Sequence, residues 1–279
     1  MIGHNTLVVL LGCAALGAAS GIVGCFALLR GRALLADAIG HAALPGVVAA
    51  SLIMAALGGP ARSLAPLLLG AALSAWLGLL ALRALTASGR IRQDAGIGVV
   101  LSAFYALGTV GLSVAQTLPG AAQAGLSHFI LGQAATMTEN DALLAGGLAL
   151  ACLAVIAALF QPLRALCFDE AFARSQGVPV RALDLVLLGL LLAVCVAGLP
   201  AVGLLLVVAL LIVPAAAARL VTQGLPAMLA VAGSLGAAAG ATGALVSVRF
   251  AQIPTGAAVV LAGLCGFGAA VAISRRAAR

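Results

Sequence analysis

Long apolar segments separated by short polar ones dominate the chain. A membrane-spanning helix needs about 20 apolar residues, and nine segments come close to that length. We therefore expect an all-α, polytopic membrane protein with about nine transmembrane helices. Eight to ten would be compatible with two ambiguous stretches. The predicted spans are 6–29, 36–57, 64–83, 94–115, 141–161, 183–198, 201–218, 225–248 and 255–274.

The first ambiguous stretch is 185–218, a run of 34 residues without charge. As one helix it would be about 51 Å long, which exceeds a hydrocarbon core of about 30 Å. Gly198-Leu199-Pro200 predicts a break in its middle and hence two short spans. Pro214 predicts a further break in the second span, either beside a transport site or as a simple packing kink. The other ambiguous stretch, 116–140, is too polar to span easily, and we expect a short or re-entrant helix near 126–134.

The arginines test this topology. All 14 basic residues are arginine, and the net charge is +7. With nine spans and an external N-terminus, twelve arginines lie on the cytoplasmic side and only Arg62 and Arg249 lie outside. If 185–218 were a single span, nine arginines would lie on the cytoplasmic side and five would lie outside. The preference of positive charge for cytoplasmic loops favours nine spans and explains the net charge without a nucleic-acid partner.

Composition agrees with a membrane location. The chain is 64% hydrophobic and 8% charged, which a soluble protein of this length could not accommodate. Among 35 glycines, the pairs Gly17-x3-Gly21 and Gly236-x3-Gly240 suit close packing of membrane helices. The six cysteines form no CxxC motif, so we expect buried thiols rather than disulfides or a zinc cluster.

Asp37 and His41 are an acid and a histidine four positions apart in the apolar run 36–57. Positions i and i+4 share one face of a helix, about 6 Å apart. Carboxylate oxygen and imidazole nitrogen together suit a divalent transition metal, and a charge inside a membrane usually marks a pathway or a coordination site. The alternative is that Asp37 only caps the helix and His41 bonds a carbonyl within the bundle.

The most polar internal loop is 162–182, which the topology places in the cytoplasm. Its centre predicts a short helix that Asp169 caps, with Arg174 in its last turn and Gly177 after its end. Such a helix is either a docking element for a partner or an ordinary solvated connector. The sequence has no GxxxxGK[ST] motif and no HExxH motif. We therefore expect a protein that is not an enzyme and whose energy comes from a partner or an ion gradient.

The residues around the acid–histidine pair resemble a family signature. LLADAIGHAALPGVV (34–48) is similar to the GDA-x-SHA-x-LPG pattern of the metal-ion ABC transporter permeases that take up zinc and manganese. Ala36 and Gly40 depart from that pattern, at positions where the family has glycine and serine. Three other stretches resemble the family in the same order: LSHFILGQ (126–133), the loop from Pro162 to Gly177, and 198–222.

The resemblance implies a single permease domain over residues 1–279 with an ABC importer permease fold, in the inner membrane of a bacterium. It implies a homodimer in lipid, an ATP-binding subunit on the cytoplasmic face and a metal-binding protein outside. Asp37 and His41 would bind the transported zinc or manganese, with iron also compatible and no permanent cofactor. The 162–182 loop would couple to the ATPase, with contacts that we assign to Asp169, Phe172, Ala173 and Gly177.

Other functions remain open on sequence alone. A related permease could carry a metal chelate or siderophore, although a chelate brings its own ligands and would not need an Asp/His pair. A carrier driven by an ion gradient would usually need more acids inside the membrane. An intramembrane metalloprotease would need a catalytic motif that the sequence lacks.

Overall fold

The computed structural model describes residues 4–57, 64–117, 139–250 and 254–277. Every regular element in these four ranges is an α-helix, which confirms the predicted all-α class. The helices are α1 (His4–Leu29), α2 (Ala33–Ala56), α3 (Leu64–Thr86), α4 (Gln93–Thr117), α5 (Glu139–Ala158), α6 (Phe160–Phe168), α7 (Glu170–Ser175), α8 (Val180–Val202), α9 (Leu204–Val221), α10 (Leu225–Arg249) and α11 (Thr255–Ala277).

The number of spans agrees approximately with the predicted nine. Within the described ranges, seven helices are long and apolar enough to cross a membrane. Helices α5 and α6 meet at a bend of 72° and would make an eighth span together, and Val207–Val221 is a shorter apolar helix. The re-entrant helix predicted near 126–134 lies outside the described residues.

The 185–218 run is broken, but not where the sequence predicted. Helix α8 continues through Gly198 and Pro200, and the turn falls at Gly203, with φ 87° and ψ 163°. Only glycine adopts this conformation readily. Gly198 instead allows α8 and α9 to pack closely, since a Cβ there would lie 2.6 Å from Cγ2 of Val207.

The ends of this hairpin return to one face of the protein. Gly224 and Pro226, which follow α9, line the same cavity as Arg164 and Phe172, which precede α8. Helices α8 and α9 therefore run in opposite directions across the bundle. This arrangement supports two crossings in the 185–218 run and contradicts a single long span.

Proline does not interrupt α2 or α9. Helix α9 continues through Pro214, so the break predicted there is wrong. Helix α2 likewise continues through Pro45. Membrane helices tolerate proline because neighbouring groups and local adjustments satisfy the freed carbonyl groups.

Glycines bring helices into backbone contact, as the sequence predicted. A Cβ atom on Gly17 or Gly21 of α1 would overlap carbonyl groups of Gly236 and Ala232 on α10. Helix α1 also packs against α5 and α9, whereas α2 packs against α3 and α4. Helix α8 contacts both groups and so joins them. All six cysteines are free thiols, and four of them are buried.

Candidate functional site

Asp37 and His41 lie one turn apart in the first half of α2, as their spacing predicted. The Nε2 atom of His41 is 3.4 Å from the Oδ1 atom of Asp37. The side chain of Asp37 is 39% exposed, whereas that of His41 is only 12% exposed. The carboxylate therefore lies at the surface of the chain and the imidazole lies deeper.

Asp37 does not cap the helix. Helix α2 begins at Ala33, and Arg32 occupies the N-cap position without a side-chain cap hydrogen bond. Asp37 thus lies in the second turn, beyond the first four N–H groups that a cap would satisfy. The interpretation of this carboxylate as a cap is wrong, and its acceptor oxygens remain available to a ligand.

The imidazole of His41 is held by packing rather than by a carbonyl group. Its Nδ1 atom is buried and has no hydrogen-bond partner among the described residues. The ring of Tyr105, on α4, meets it edge-on, with 5.2 Å between the ring centroids and 88° between the planes. Sequence reasoning missed Tyr105, because no local pattern relates α4 to α2.

Neighbouring helices fix the backbone on both sides of the pair. The thiol of Cys195, on α8, donates to the carbonyl oxygen of Ala36 at 3.9 Å. The hydroxyl of Ser74, on α3, donates to the carbonyl oxygen of Ala42 at 2.6 Å. In addition, Pro45 has no N–H group to donate to the carbonyl oxygen of His41 in the usual helical pattern.

Within the described residues, the Asp37–His41 pair is not part of a larger set of candidate metal ligands. In the ranges that the structure describes, no group of three or more His, Cys, Asp or Glu residues could hold a metal ion. A tetrahedral zinc site uses at least three protein ligands. The pair on α2 would therefore need further ligands from another copy, from water or from the segments outside these ranges.

The predicted helix of the 162–182 loop is α7, and its ends follow the prediction. The carboxylate of Asp169 accepts a hydrogen bond from the N–H group of Phe172 at 2.9 Å. Gly177 has φ 75°, and its N–H group donates to the carbonyl oxygen of Arg174 at 3.1 Å. With the hydrogen bond from Val178 N–H to the Ala173 carbonyl, this is a Schellman motif.

The predicted coupling residues do not all face outward. Phe172 is 55% exposed, and Gly177 is also exposed. Ala173 is fully buried within its own chain, so its side chain does not lie on the surface that a partner would meet. Ala173 anchors α7 to the bundle instead, because the face of a short helix that packs inward cannot also face a partner.

A cavity of about 530 Å³ lies beside the exposed face of α7. Phe168 and Phe172 line it, together with residues 223–226, which connect α9 to α10. Sequence reasoning did not assign the 223–226 turn to this surface. Gly224 and Pro226 indicate only a turn. The position of this turn beside α7 depends on how α9 packs.

Known proteins resemble this chain along most of its length. The sequence model of the ABC 3 transport family matches residues 4–273. The manganese transport system membrane protein MntC of Bacillus subtilis is 38% identical over 257 residues, which are 92% of this chain and 58% of that protein. The zinc transport system membrane protein TroC of Treponema pallidum is 38% identical over 253 residues, with 91% and 83% covered.

A solved structure shows the same fold. PsaBC from Streptococcus pneumoniae, in complex with Fab, contains a chain that superimposes with a TM-score of 0.82 at 30% identity. The match covers 96% of the present chain and 91% of that one. The similarity therefore extends to the arrangement of the helices and is not confined to the motif on α2.

Proposed function

Because the chain belongs to the ABC 3 transport family, we propose that it is the permease of an ATP-driven importer for a divalent transition metal. Zinc and manganese are the proposed cargoes, and ferrous iron is compatible with the same ligands. The membrane location is secure, since apolar helices and permease relatives make this a multi-pass protein of the bacterial cell membrane. The Asp37–His41 pair on α2 is the observation that supports a metal ion as the cargo.

The pair suits an ion in transit. A carboxylate offsets part of the charge of the ion, and an imidazole nitrogen adds a donor that alkaline-earth ions use poorly. A second copy of the permease would contribute its own Asp37 and His41 around a shared axis, and the homodimer would then complete the shell.

Energy would come from an ATP-binding subunit on the cytoplasmic face. The exposed ring of Phe172 and the cavity beside α7, which polar and apolar side chains line together, offer that subunit a docking surface at a well-capped helix. Closure of two such subunits would move access to the ion from outside to inside. A metal-binding protein outside the membrane would deliver the ion.

The alternatives have weaker support. A metal chelate or siderophore would arrive with its own ligands and would leave the Asp37–His41 pair without a purpose. A carrier driven by an ion gradient would need a relay of acids, whereas α2 offers one carboxylate. The gradient-driven carrier also leaves the capped, exposed helix in the 162–182 loop without a role.

Transport by the reconstituted complex tests the proposal. Vesicles would hold the permease with its ATP-binding subunit, and the metal-binding protein would be added on the side opposite to ATP. We expect accumulation of Mn²⁺ or Zn²⁺ that requires ATP hydrolysis. Accumulation of an iron–siderophore complex alone, or uptake driven by a proton or sodium gradient without ATP, would contradict the proposal.

A further inference from the structure

Arg30 joins three elements that are far apart in the sequence. It follows α1, and its guanidinium donates to the Glu170 carboxylate on α7 at 3.1 Å and to the Asp184 carboxylate on α8 at 3.2 Å. It also donates to the carbonyl oxygen of Leu166, on α6, at 3.1 Å. Arg32 binds the other oxygen of Asp184 at 2.9 Å. We call Arg30, Arg32, Glu170 and Asp184 the arginine–carboxylate cluster.

Three of the four side chains in the cluster are more shielded than those of an ordinary surface ion pair, and the fourth, Glu170, is 38% exposed. The side chains of Arg30, Asp184 and Arg32 are 13%, 20% and 22% exposed. Partly buried charges bear a desolvation cost, and apolar side chains of similar size often stabilise a protein as well or better. Stability alone is therefore a poor explanation for two arginines and two acids at one point, whereas directional hydrogen bonds suit a connection that must keep its geometry.

The position of the cluster relative to the metal pair gives it a role. Arg32 is the N-cap residue of α2, and Asp37 follows five positions later, about 7.5 Å along the helix. Glu170 is the first residue of α7. Asp184 lies near the start of α8, which also contacts α2 beside Asp37 through the Cys195–Ala36 hydrogen bond. Hydrogen bonds within the cluster thus connect α7 to the N-terminal end of α2, and a displacement of α7 can reach α2 through them.

We propose that the arginine–carboxylate cluster transmits movement of α7 to α2 and so positions Asp37 and His41 during the ATPase cycle. The proposal rests on the proposed function, since it assigns α7 to the ATPase and the α2 pair to the metal. Its four residues are positioning residues, because none of them touches the ion. Arg30 is the central member, since it binds α7 and α8 at once.

The experiment measures metal uptake and ATP hydrolysis in the same vesicles, with the full complex. Glu170→Gln and Asp184→Asn each remove one charge and keep the size of the side chain. We expect both variants to hydrolyse ATP, while the amount of metal moved per ATP falls about five- to tenfold, at the low end of typical coupling between sites. Asp184→Glu keeps the charge and should restore most of the ratio of metal moved to ATP hydrolysed.

Arg83→Gln is the matched control, because Arg83 is exposed, lies in the last turn of α3 and is outside the 162–182 loop. It should keep the wild-type ratio. An unchanged ratio in both cluster variants would overturn the proposal, even if their thermal stability fell. Failure of both variants to assemble with the ATP-binding subunit would also overturn it, because the cluster would then be structural.

The outcome is separable from the outcome for the proposed function. Wild-type vesicles that move no metal with ATP would refute the proposed function itself. Wild-type vesicles that move metal, with cluster variants at the normal ratio, would refute only the role of the cluster.

Discussion

Gly17 and Gly236 meet with no side chain between their helices. A Cβ atom on either residue would overlap the carbonyl group of the other. Gly240 repeats the contact one turn along, against the carbonyl group of Cys13. This seam holds α1 against α10, and α1 in turn packs against α5 and α9.

We expect Gly17→Ala to destabilise the protein by about 1–3 kcal/mol, because the backbones must move apart to admit the methyl group. Thermal unfolding of the purified permease in detergent measures the effect. Gly147→Ala, on α5, is the matched control, since a Cβ there meets nothing within 4 Å. Equal unfolding temperatures for the two variants would show that α1 and α10 separate easily.

We expect Asp37→Asn to abolish metal uptake. The variant keeps the size and one oxygen acceptor of the side chain but loses the charge that offsets the charge of the ion. His41→Ala removes the nitrogen donor and should be at least as damaging. Both variants should insert and bind the ATP-binding subunit, because neither side chain serves the helical hydrogen bonds of α2.

The control for this experiment is Asp94→Asn, in the exposed first turn of α4. It makes the same chemical change away from the pair and should leave uptake normal. Uptake at the wild-type rate by Asp37→Asn, with unchanged metal preference, would refute coordination by this carboxylate.

Two substitutions at Gly177 separate backbone strain from loss of space. A Cβ on Gly177 would meet nothing within 4 Å. Only the backbone conformation, with φ of 75°, therefore disfavours other residues at this position. Valine in this left-handed conformation costs about 1–2 kcal/mol, whereas asparagine tolerates it better. We expect Gly177→Val to uncouple ATP hydrolysis from uptake and Gly177→Asn to remain close to wild type. Normal coupling in the valine variant would make the loop a simple connector.

The cluster also predicts a dependence of stability on pH. Hydrogen bonds from Arg30, and then from Arg174, lower the pKa of Glu170 below its ordinary value of 4.5. A carboxyl group with a lowered pKa stabilises the folded state fully above its unfolded pKa and loses this contribution as the pH falls through the folded pKa. The difference in unfolding temperature between wild type and Glu170→Gln should be constant from pH 5 to 8 and shrink below about pH 4.5. A difference that changes between pH 6 and 8 would point to another group.

The topology predicts an external N-terminus and a cytoplasmic C-terminus. Reporter fusions at Gly59 and after Arg279 should therefore report opposite sides of the membrane. The structure favours this arrangement, because Arg30 and Arg32 lie on the same face as Glu170 and Asp184. An external C-terminus would mean that 185–218 or 116–140 crosses the membrane a different number of times.

Several features depended only on residues close together in the chain. The apolar segments predicted the helices, because a membrane forces each stretch of backbone to satisfy its own hydrogen bonds. The caps of α7 involve positions within five residues of each other, and Asp169 and Gly177 were therefore predictable. The proximity of Asp37 and His41 follows from helix geometry alone, since every i, i+4 pair shares a face.

Tertiary structure alone decided the rest. Arg30 and Glu170 are 140 positions apart, and nothing in either segment indicates their contact. The turn at Gly203 rather than Gly198, the burial of Ala173 and the contact of Tyr105 with His41 likewise depend on which helices are neighbours. Apolar helices have nearly uniform surfaces in a membrane, so fine packing, rather than local hydrophobicity, selects their partners. The sequence by itself therefore determined the helices and their local motifs, while packing determined how these motifs meet.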